Sequence, residues 1–378
     1  MKQFVSIQPE MLRWAIGRAG YTVEEMSEKV PQLTAWLDGT KQPTVKQLED
    51  FSKKIYLPFG YFFLPEPPRE ELPIPFFRTN NSVQKQVSIN VYDTILLLQQ
   101  RQDWLRDYLK ENEFEELDFV GKYNSKSEVK TIVNDIRQVL ELPENWAAGF
   151  RTWDDALGNL VQAIEDKGII AVFNGVVENN TSRKIQVDEC RGFVLVDKAA
   201  PFMFINNADS KAAQMFTIVH ELAHIWTGKS AGFDFQKLEP ANDENEILCD
   251  RVAAEFLVPE TAFTQIWNTG VGIKGATRYF KVSEIVIARR ALDTGKISKK
   301  DFYAFYDEYI HRESEKKAAQ GSGGDFYATT CKRLSIGFAT HIYNAIKSGD
   351  LLYRDAYKLT SLKGDTFQSF FSQNFRMA

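Results

Sequence analysis

The apolar residues between Lys211 and Trp226 lie on nearly all sides of a helix rather than along a single stripe. A helix with this pattern is usually buried by the rest of the protein. Asp209 or Ser210 can supply its N-cap, and Gly228 can end it. The pattern therefore predicts a buried central helix over residues 211–226.

Three short apolar runs precede this helix and predict strands of a small sheet, at 169–173, 191–196 and 201–205. A second helix is predicted from Glu246 to its end at Pro259. Its apolar residues form one stripe, so this helix should pack on the core. We therefore expect an α+β fold that is mostly helical.

Helical spacing also dominates the flanking regions. Residues 1–56 predict a small helical bundle, with capping boxes at Thr22/Glu25 and Thr44/Gln47. A helix capped by Ser283 should end at Gly295, and residues 311–324 predict a polar, glycine-rich loop. The expected domains are a helical module at 1–64, a proline- and aromatic-rich connector at 65–87, a core domain at 88–310 (a helical lead-in at 88–165 and a core at 166–295) and a helical extension at 325–378.

Composition narrows the class of protein. The chain has 378 residues, 44% of them hydrophobic and 26% charged, which is ordinary for a soluble protein of two or three domains. Its net charge of −5 gives no global attraction to nucleic acid. No apolar run approaches the roughly 18 residues that span a bilayer, and the N-terminus has no signal-peptide pattern. Three cysteines without a C-x-x-C pair predict free thiols in the cytoplasm.

The strongest chemical signal is an H-E-x-x-H motif in the central helix, formed by His220, Glu221 and His224. Residues four apart lie on one face of a helix, so both imidazoles can reach the same metal ion. Glu221 lies to the side, where its carboxylate can take a proton from metal-bound water. Buried polar groups are costly unless they are paired or bound to metal, which favours a metal over a purely structural role.

A catalytic zinc site usually has three protein ligands and an open position for water. Glu246 and Asp250 lie four apart on one face of the next helix. We assign Glu246 as the third ligand. Asp250 should accept a hydrogen bond from the free ring N–H of one liganding histidine. The alternative for this pair is a solvated acidic face.

Other residues near Glu246 could replace it as the ligand. Glu255 is the main rival, and Asp243 and Glu244 are weaker ones. Cys249 could bind zinc by its chemistry, but it lies on a different helical face from Glu246.

Four segments carry a further signal, namely Arg191–Leu195, Phe204–Asn206, Phe216–His224 and Glu246–Pro259. Together they resemble the ImmA/IrrE family of metallo-endopeptidases, zinc proteins of the gluzincin type. The resemblance covers about residues 160–295 and depends on the order and spacing of these segments. One departure is Cys249, where a small alanine is common.

This resemblance implies a small zincin-like catalytic domain flanked by helical domains, with one Zn²⁺ per chain. It implies that His220, His224 and Glu246 are the ligands and that Glu221 is the general base. It also implies a protein substrate with a regulatory role, such as a repressor or an antitoxin.

The N-terminal bundle resembles the helix-turn-helix of XRE-type repressors, a module often fused to this family. Gln32, Thr34 and Lys41 are the nearest candidates for reading bases, and no arginine stands there to read guanine. Residues 1–64 hold 8 basic and 7 acidic side chains, so phosphate neutralisation would be weak. DNA is therefore a candidate partner, and the alternative is a module for protein contact or dimerisation.

Two functional hypotheses follow. The first is a cytoplasmic zinc endopeptidase in which Glu221 activates a zinc-bound water to cut a repressor or antitoxin-like protein. The second is a non-proteolytic DNA-binding regulator or antitoxin that uses the metallopeptidase fold as a scaffold or sensor. The intact motif favours the first, because a protein without catalysis has no need of Glu221. The sequence indicates no membrane partner, and it does not identify the substrate or the oligomeric state.

Overall fold

Helices make up most of the computed structural model, which describes residues 3–68, 76–77, 87–233, 243–318 and 326–375. The chain divides into two units, Met1–Pro73 with Asn81–Leu96 and Ile74–Asn80 with Leu97–Ala378. The finer division given above stays a prediction. None of the described helices is long and apolar enough to cross a membrane.

The first unit has a helical core of its own. Both predicted capping boxes are confirmed, since Thr22 and Thr44 each cap a helix and exchange hydrogen bonds with Glu25 and Gln47. Apolar side chains from all four helices, such as Met11, pack together in its centre. The helices are α1 (Pro9–Arg18), α2 (Val23–Lys29), α3 (Leu33–Leu37) and α4 (Val45–Lys54), followed by a 3-10 turn at Phe59–Phe63.

The second unit contains the sheet, the part of the next helix that begins at Leu97, and all later helices. Helix α5 (Ile89–Glu111) leads into it, and the predicted helical lead-in and C-terminal helices are confirmed. A 3-10 turn also forms at Trp146–Gly149. The other helices are α6 (Val129–Leu140), α7 (Trp153–Glu165), α8 (Lys211–Thr227), α9 (Glu244–Leu257), α10 (Glu260–Asn268), α11 (Gly272–Phe280), α12 (Glu284–Asp293), α13 (Lys299–Ala318), α14 (Phe326–Leu334), α15 (Ile336–Ser348), α16 (Tyr353–Thr360) and α17 (Gly364–Asn374).

Five strands form one sheet in the order β1-β7-β5-β6-β2, and β3 and β4 form a separate hairpin. Strand β5 is antiparallel to both of its neighbours, whereas β2 is parallel to β6 and β1 is parallel to β7. The three predicted strands are confirmed as β2, β5 and β6. The strands are β1 (Phe76–Phe77), β2 (Ile170–Phe173), β3 (Val176–Val177), β4 (Asn180–Lys184), β5 (Gly192–Leu195), β6 (Phe202–Ile205) and β7 (Ala231–Phe233).

Strands β2, β5 and β6 are buried along their whole length because helices cover the sheet. Helix α8 packs on β5 and β6. The ring of Phe202 in β6 meets that of Phe338 in α15, with centroids 5.6 Å apart. Since β1 and β2 stand at the two ends of this strand order, they are the edge strands among the described strands of the sheet.

A buried arginine connects α5 to the C-terminal helices. Arg101 is 4% exposed. Its Nε donates to the carbonyl of Leu359 at 2.7 Å, and its Nη1 donates to that of Arg333 at 3.3 Å. Both carbonyls lie in the last turn of a helix, where intrahelical partners run out. The arginine therefore satisfies two helix ends that are packed against α5.

One predicted loop is wrong over part of its length. Residues 311–318, expected to open a polar loop, continue α13 to Ala318. Glutamate, lysine, arginine and alanine dominate this stretch, and all four favour helix, so its polarity did not break the helix. Residues 319–324 of the predicted loop lie outside the described part of the chain.

Candidate metal centre

Helix α8 is positioned by its ends and by its apolar surface. The Ser210 side chain accepts a hydrogen bond from the N–H of Ala213 at 3.3 Å and so forms the N-cap. Gly228 ends the helix with a left-handed φ of 72°, a conformation that glycine adopts without strain. Nearly every side chain between these ends is buried. The helix is therefore fixed at both ends and enclosed by the core.

The two histidines of α8 point to the same place. His220 and His224 are both 0% exposed. Their Nε2 atoms lie 3.1 Å apart. One helical turn separates the residues, so this approach follows directly from their spacing.

Helix α9 brings a carboxylate to these nitrogens. Asp243 is its N-cap and accepts from the N–H groups of Asn245 at 2.8 Å and Glu246 at 3.3 Å. Glu246 Oε2 lies 3.2 Å from His220 Nε2, and Glu246 Oε1 lies 3.2 Å from His224 Nε2. Candidate ligand atoms of these three residues all lie within 4.8 Å of one another.

Asp250, one turn further along α9, lies behind His220. Its Oδ1 is 3.0 Å from His220 Nδ1, on the side of the ring away from Glu246. The carboxylate can only accept, so it favours a ring proton on Nδ1. The structure thus places Asp250 where a histidine-orienting residue is needed.

The rival ligands lie elsewhere or have other contacts. Glu255 forms a half-buried ion pair with Arg290. Asp243 caps α9, and Glu244 is exposed. Burial raises the pKa of the Cys249 thiol well above its ordinary value, which disfavours the thiolate that zinc requires. The described structure thus brings only Glu246 of these candidates to the two Nε2 atoms.

Glu221 is the least satisfied group in the centre. It is fully buried, and neither carboxylate oxygen has a hydrogen-bond partner among the described residues. Burial raises its pKa from 4.5 to about 8, and the Glu246 charge adds to this. The carboxylate therefore binds a proton more readily than an ordinary glutamate.

A glycine of the sheet makes room for Glu221. A Cβ built on Gly192 in β5 would lie 3.4 Å from Glu221 Oε1 and only 2.5 Å from Thr217 Cγ2. Gly192 is paired with Ile205 of β6 and with Phe233 of β7. The absence of a side chain here allows β5 to approach α8 closely.

The acidic and basic groups compensate each other. Burial disfavours a charged His220, but hydrogen bonds to Asp250 and Glu246 outweigh burial and raise its pKa to about 10. Burial would also raise the pKa of Glu246, but its contacts with His220 and His224 lower it well below the usual range. The pKa of His224 is lowered, chiefly by burial.

These observations test whether a metal fits. Two imidazole nitrogens and a carboxylate oxygen converge within 4.8 Å of one another in a buried pocket of side chains. Such a set is costly without a cation between its members. Two nitrogen ligands and one oxygen ligand match the donor set of catalytic zinc sites. The residues therefore fit a divalent metal ion.

Two contacts in the centre were missed by sequence reasoning. Asn245 lies against His224, with Nδ2 3.2 Å from Nδ1. Gly192 lies over Glu221, as described above. The sequence shows only that Asn245 lies in a helix and Gly192 in a strand. A position within one element does not reveal a contact with another element.

Comparisons with known proteins agree with this geometry. The family model of a peptidase domain, described as the IrrE N-terminal-like domain, matches residues 165–292. A second model, described as a domain of unknown function (DUF8813), matches residues 334–373. No curated protein and no solved structure gave a significant match.

The first match extends from the end of α7 to α12 and includes the histidines of α8 and the glutamate of α9. A His-His-Glu cluster that could hold a metal is the feature that such a peptidase requires. Residues 165–292 are therefore a metallopeptidase-type domain of the ImmA/IrrE family.

Proposed function

We propose that this chain is a cytoplasmic zinc-dependent endopeptidase that cuts a specific regulatory protein, of the repressor or antitoxin kind. The observation that carries the proposal is the convergence of two Nε2 atoms and the Glu246 carboxylate beside Glu221, which has no hydrogen-bond partner in the described part of the chain. The peptidase family match supports a protein substrate. The regulatory class of the substrate is supported by the family resemblance.

His220, His224 and Glu246 would hold one Zn²⁺ per chain. Three ligands of this kind leave a coordination position for water, as catalytic sites require. Zinc, when bound, acts as a Lewis acid that polarises the scissile carbonyl and makes water more acidic.

The side chains of the protein supply the proton transfers. Glu221 lies one residue from a ligand, has unused lone pairs and is shielded from solvent. It would accept the proton of the attacking water and later donate it to the leaving amine nitrogen. Asp250 would accept from His220 Nδ1–H and so keep that ring in the tautomer that presents Nε2.

The metal content of purified protein tests the ligand set. We expect about one zinc per wild-type chain and a marked loss in Glu246→Ala. Glu244→Ala is the matched control, since Glu244 is exposed on the same helix. Absence of zinc in the wild type after supplementation would favour the non-proteolytic regulator. Full zinc in Glu246→Ala would make Glu246 the wrong ligand.

Glu221→Gln tests the catalytic role separately from metal binding. This variant should retain zinc and lose cleavage, because glutamine keeps the side-chain shape but cannot carry the proton. New protein N-termini can be compared in extracts of cells that express the wild type or the variant. A few sites unique to the wild type would identify the substrate. The same cleavage sites with both proteins would eliminate Glu221 as the base.

A further inference from the structure

The amide of Asn245 is a buried polar group in contact with a candidate ligand. Asn245 is 4% exposed. Its Nδ2 lies 3.2 Å from His224 Nδ1 and 3.9 Å from Cys249 Sγ. Its Oδ1 is buried and has no hydrogen-bond partner among the described residues. A buried amide with its acceptor unused lies directly behind His224.

The tautomer of His224 decides which end of this amide is needed. In the orientation seen here, Nδ2–H donates to Nδ1, which suits a ring that carries its proton on Nε2 toward Glu246. A neutral ring that gives Nε2 to a metal carries its proton on Nδ1 instead. That Nδ1–H needs an acceptor, and the amide nitrogen cannot accept.

A half-turn of the amide exchanges the two ends with little change in the space occupied. Oδ1 would then take the place of Nδ2, at about the same distance from Nδ1 and from Cys249 Sγ. The protonated thiol of Cys249 could donate to the same oxygen, which has two lone pairs. The half-turn therefore gives the unused acceptor two donors.

We propose that Asn245 is the positioning residue for His224, with its amide oxygen accepting the Nδ1 proton when Nε2 binds the metal. This inference rests on the metal site proposed above. The two histidines would then have different partners, since the Asp250 carboxylate can only accept whereas the Asn245 amide can match either tautomer of its ring.

A neutral partner also suits the charge of the centre. Glu221, Glu246 and Asp250 already place three carboxyl groups near the two imidazoles. An aspartate at position 245 would add a fourth. An amide orients His224 without that repulsion.

Zinc affinity of the full chain, measured by competition with a chromophoric chelator, tests the proposal. Asn245→Leu removes the acceptor, and we expect its zinc affinity to fall by about 10–100-fold, as for other partners behind a ligand. Asn245→Asp keeps an acceptor of the same size, so it should lie within about tenfold of the wild type. Equal affinities of Asn245→Leu and wild type, or an equal loss in both variants, would overturn the proposal.

A spectroscopic measurement distinguishes a positioning role of Asn245 from a general loss of packing in the variant. Its main readout comes from the wild type. In ¹⁵N-histidine NMR spectra of the zinc-loaded wild type, His224 should appear as the Nδ1–H tautomer with a proton protected from exchange. In Asn245→Leu that proton should exchange rapidly. Rapid exchange in the wild type would overturn the proposal even if Asn245→Leu does not fold.

The two proposals can fail separately. A wild type that binds no zinc contradicts the metal site itself. If the wild type binds zinc but His224 shows no protected Nδ1–H, only the role of Asn245 is contradicted.

Discussion

A methyl group added at Gly192 would measure how closely the sheet approaches α8. The new Cβ would lie 2.5 Å from Thr217 Cγ2 and 2.9 Å from the carbonyl oxygen of Phe204. Carbon atoms prefer about 3.5–4.0 Å, so the first contact is about 1 Å too short. Thr217 cannot turn away without loss, because its Oγ1 donates to the Ala213 carbonyl at 3.1 Å.

Overpacking of this kind destabilises the folded state by about 1–3 kcal/mol. We therefore expect Gly192→Ala to lower the free energy of unfolding by about that amount in urea denaturation. Gly158→Ala is the matched control, since Gly158 is an exposed residue of α7 with open space around its Cβ position. It should stabilise the protein by about 0.5–1 kcal/mol through helix propensity.

A double variant checks the cause. Thr217→Ser removes the nearest contact, so it should recover part of the stability lost in Gly192→Ala when the two are combined. The backbone contact with Phe204 remains, so the recovery should be incomplete. If Gly192→Ala alone were as stable as the wild type with an unchanged denaturant dependence, the close approach of β5 to α8 would be refuted.

Three further variants test other features. Arg101→Met should lower the unfolding free energy by about 2–4 kcal/mol in chemical denaturation, because a buried and a half-buried carbonyl lose their charged donor; an unchanged midpoint would contradict this. Ser210→Ala should cost about 1 kcal/mol in the same assay by removing the α8 N-cap, and no loss would show that the cap is dispensable. Burial raises the pKa of Glu221 from 4.5 to about 8, so without metal its contribution to stability is full below pH 4.5 and is lost as the pH rises through 8. Chelator-treated Glu221→Gln should lack that decline, and equal pH dependence in both proteins would speak against it.

Helical periodicity explains what the sequence could predict about the centre. His220 with His224, and Glu246 with Asp250, are each four residues apart, so the members of each pair must share a helix face. Periodicity does not say how α8 and α9 pack. The partner of each histidine, and the contact between Asn245 and His224, depend on that packing.

In the sheet, too, local sequence patterns predict some strands, whereas other strands depend on pairing with distant segments. Strands β2, β5 and β6 are continuous apolar runs and were predicted. Strands β3, β4 and β7 were missed, because they are short or polar and form only through pairing with other segments. The position of β7 beside β5 follows from tertiary structure that no local pattern encodes.

The pairing of two helices in the centre has a consequence for how a metal would act on the whole domain. Each helix contributes two groups one turn apart, so a slide of α9 along α8 by one residue, about 1.5 Å, would displace Glu246 and Asp250 together. A bound ion would therefore cross-link two segments that are more than 20 residues apart in the chain and fix their register. It would stabilise the folded state by an amount that grows with the logarithm of its concentration over its dissociation constant. Substitutions on the apolar faces between α8 and α9 could then change metal affinity without altering any ligand.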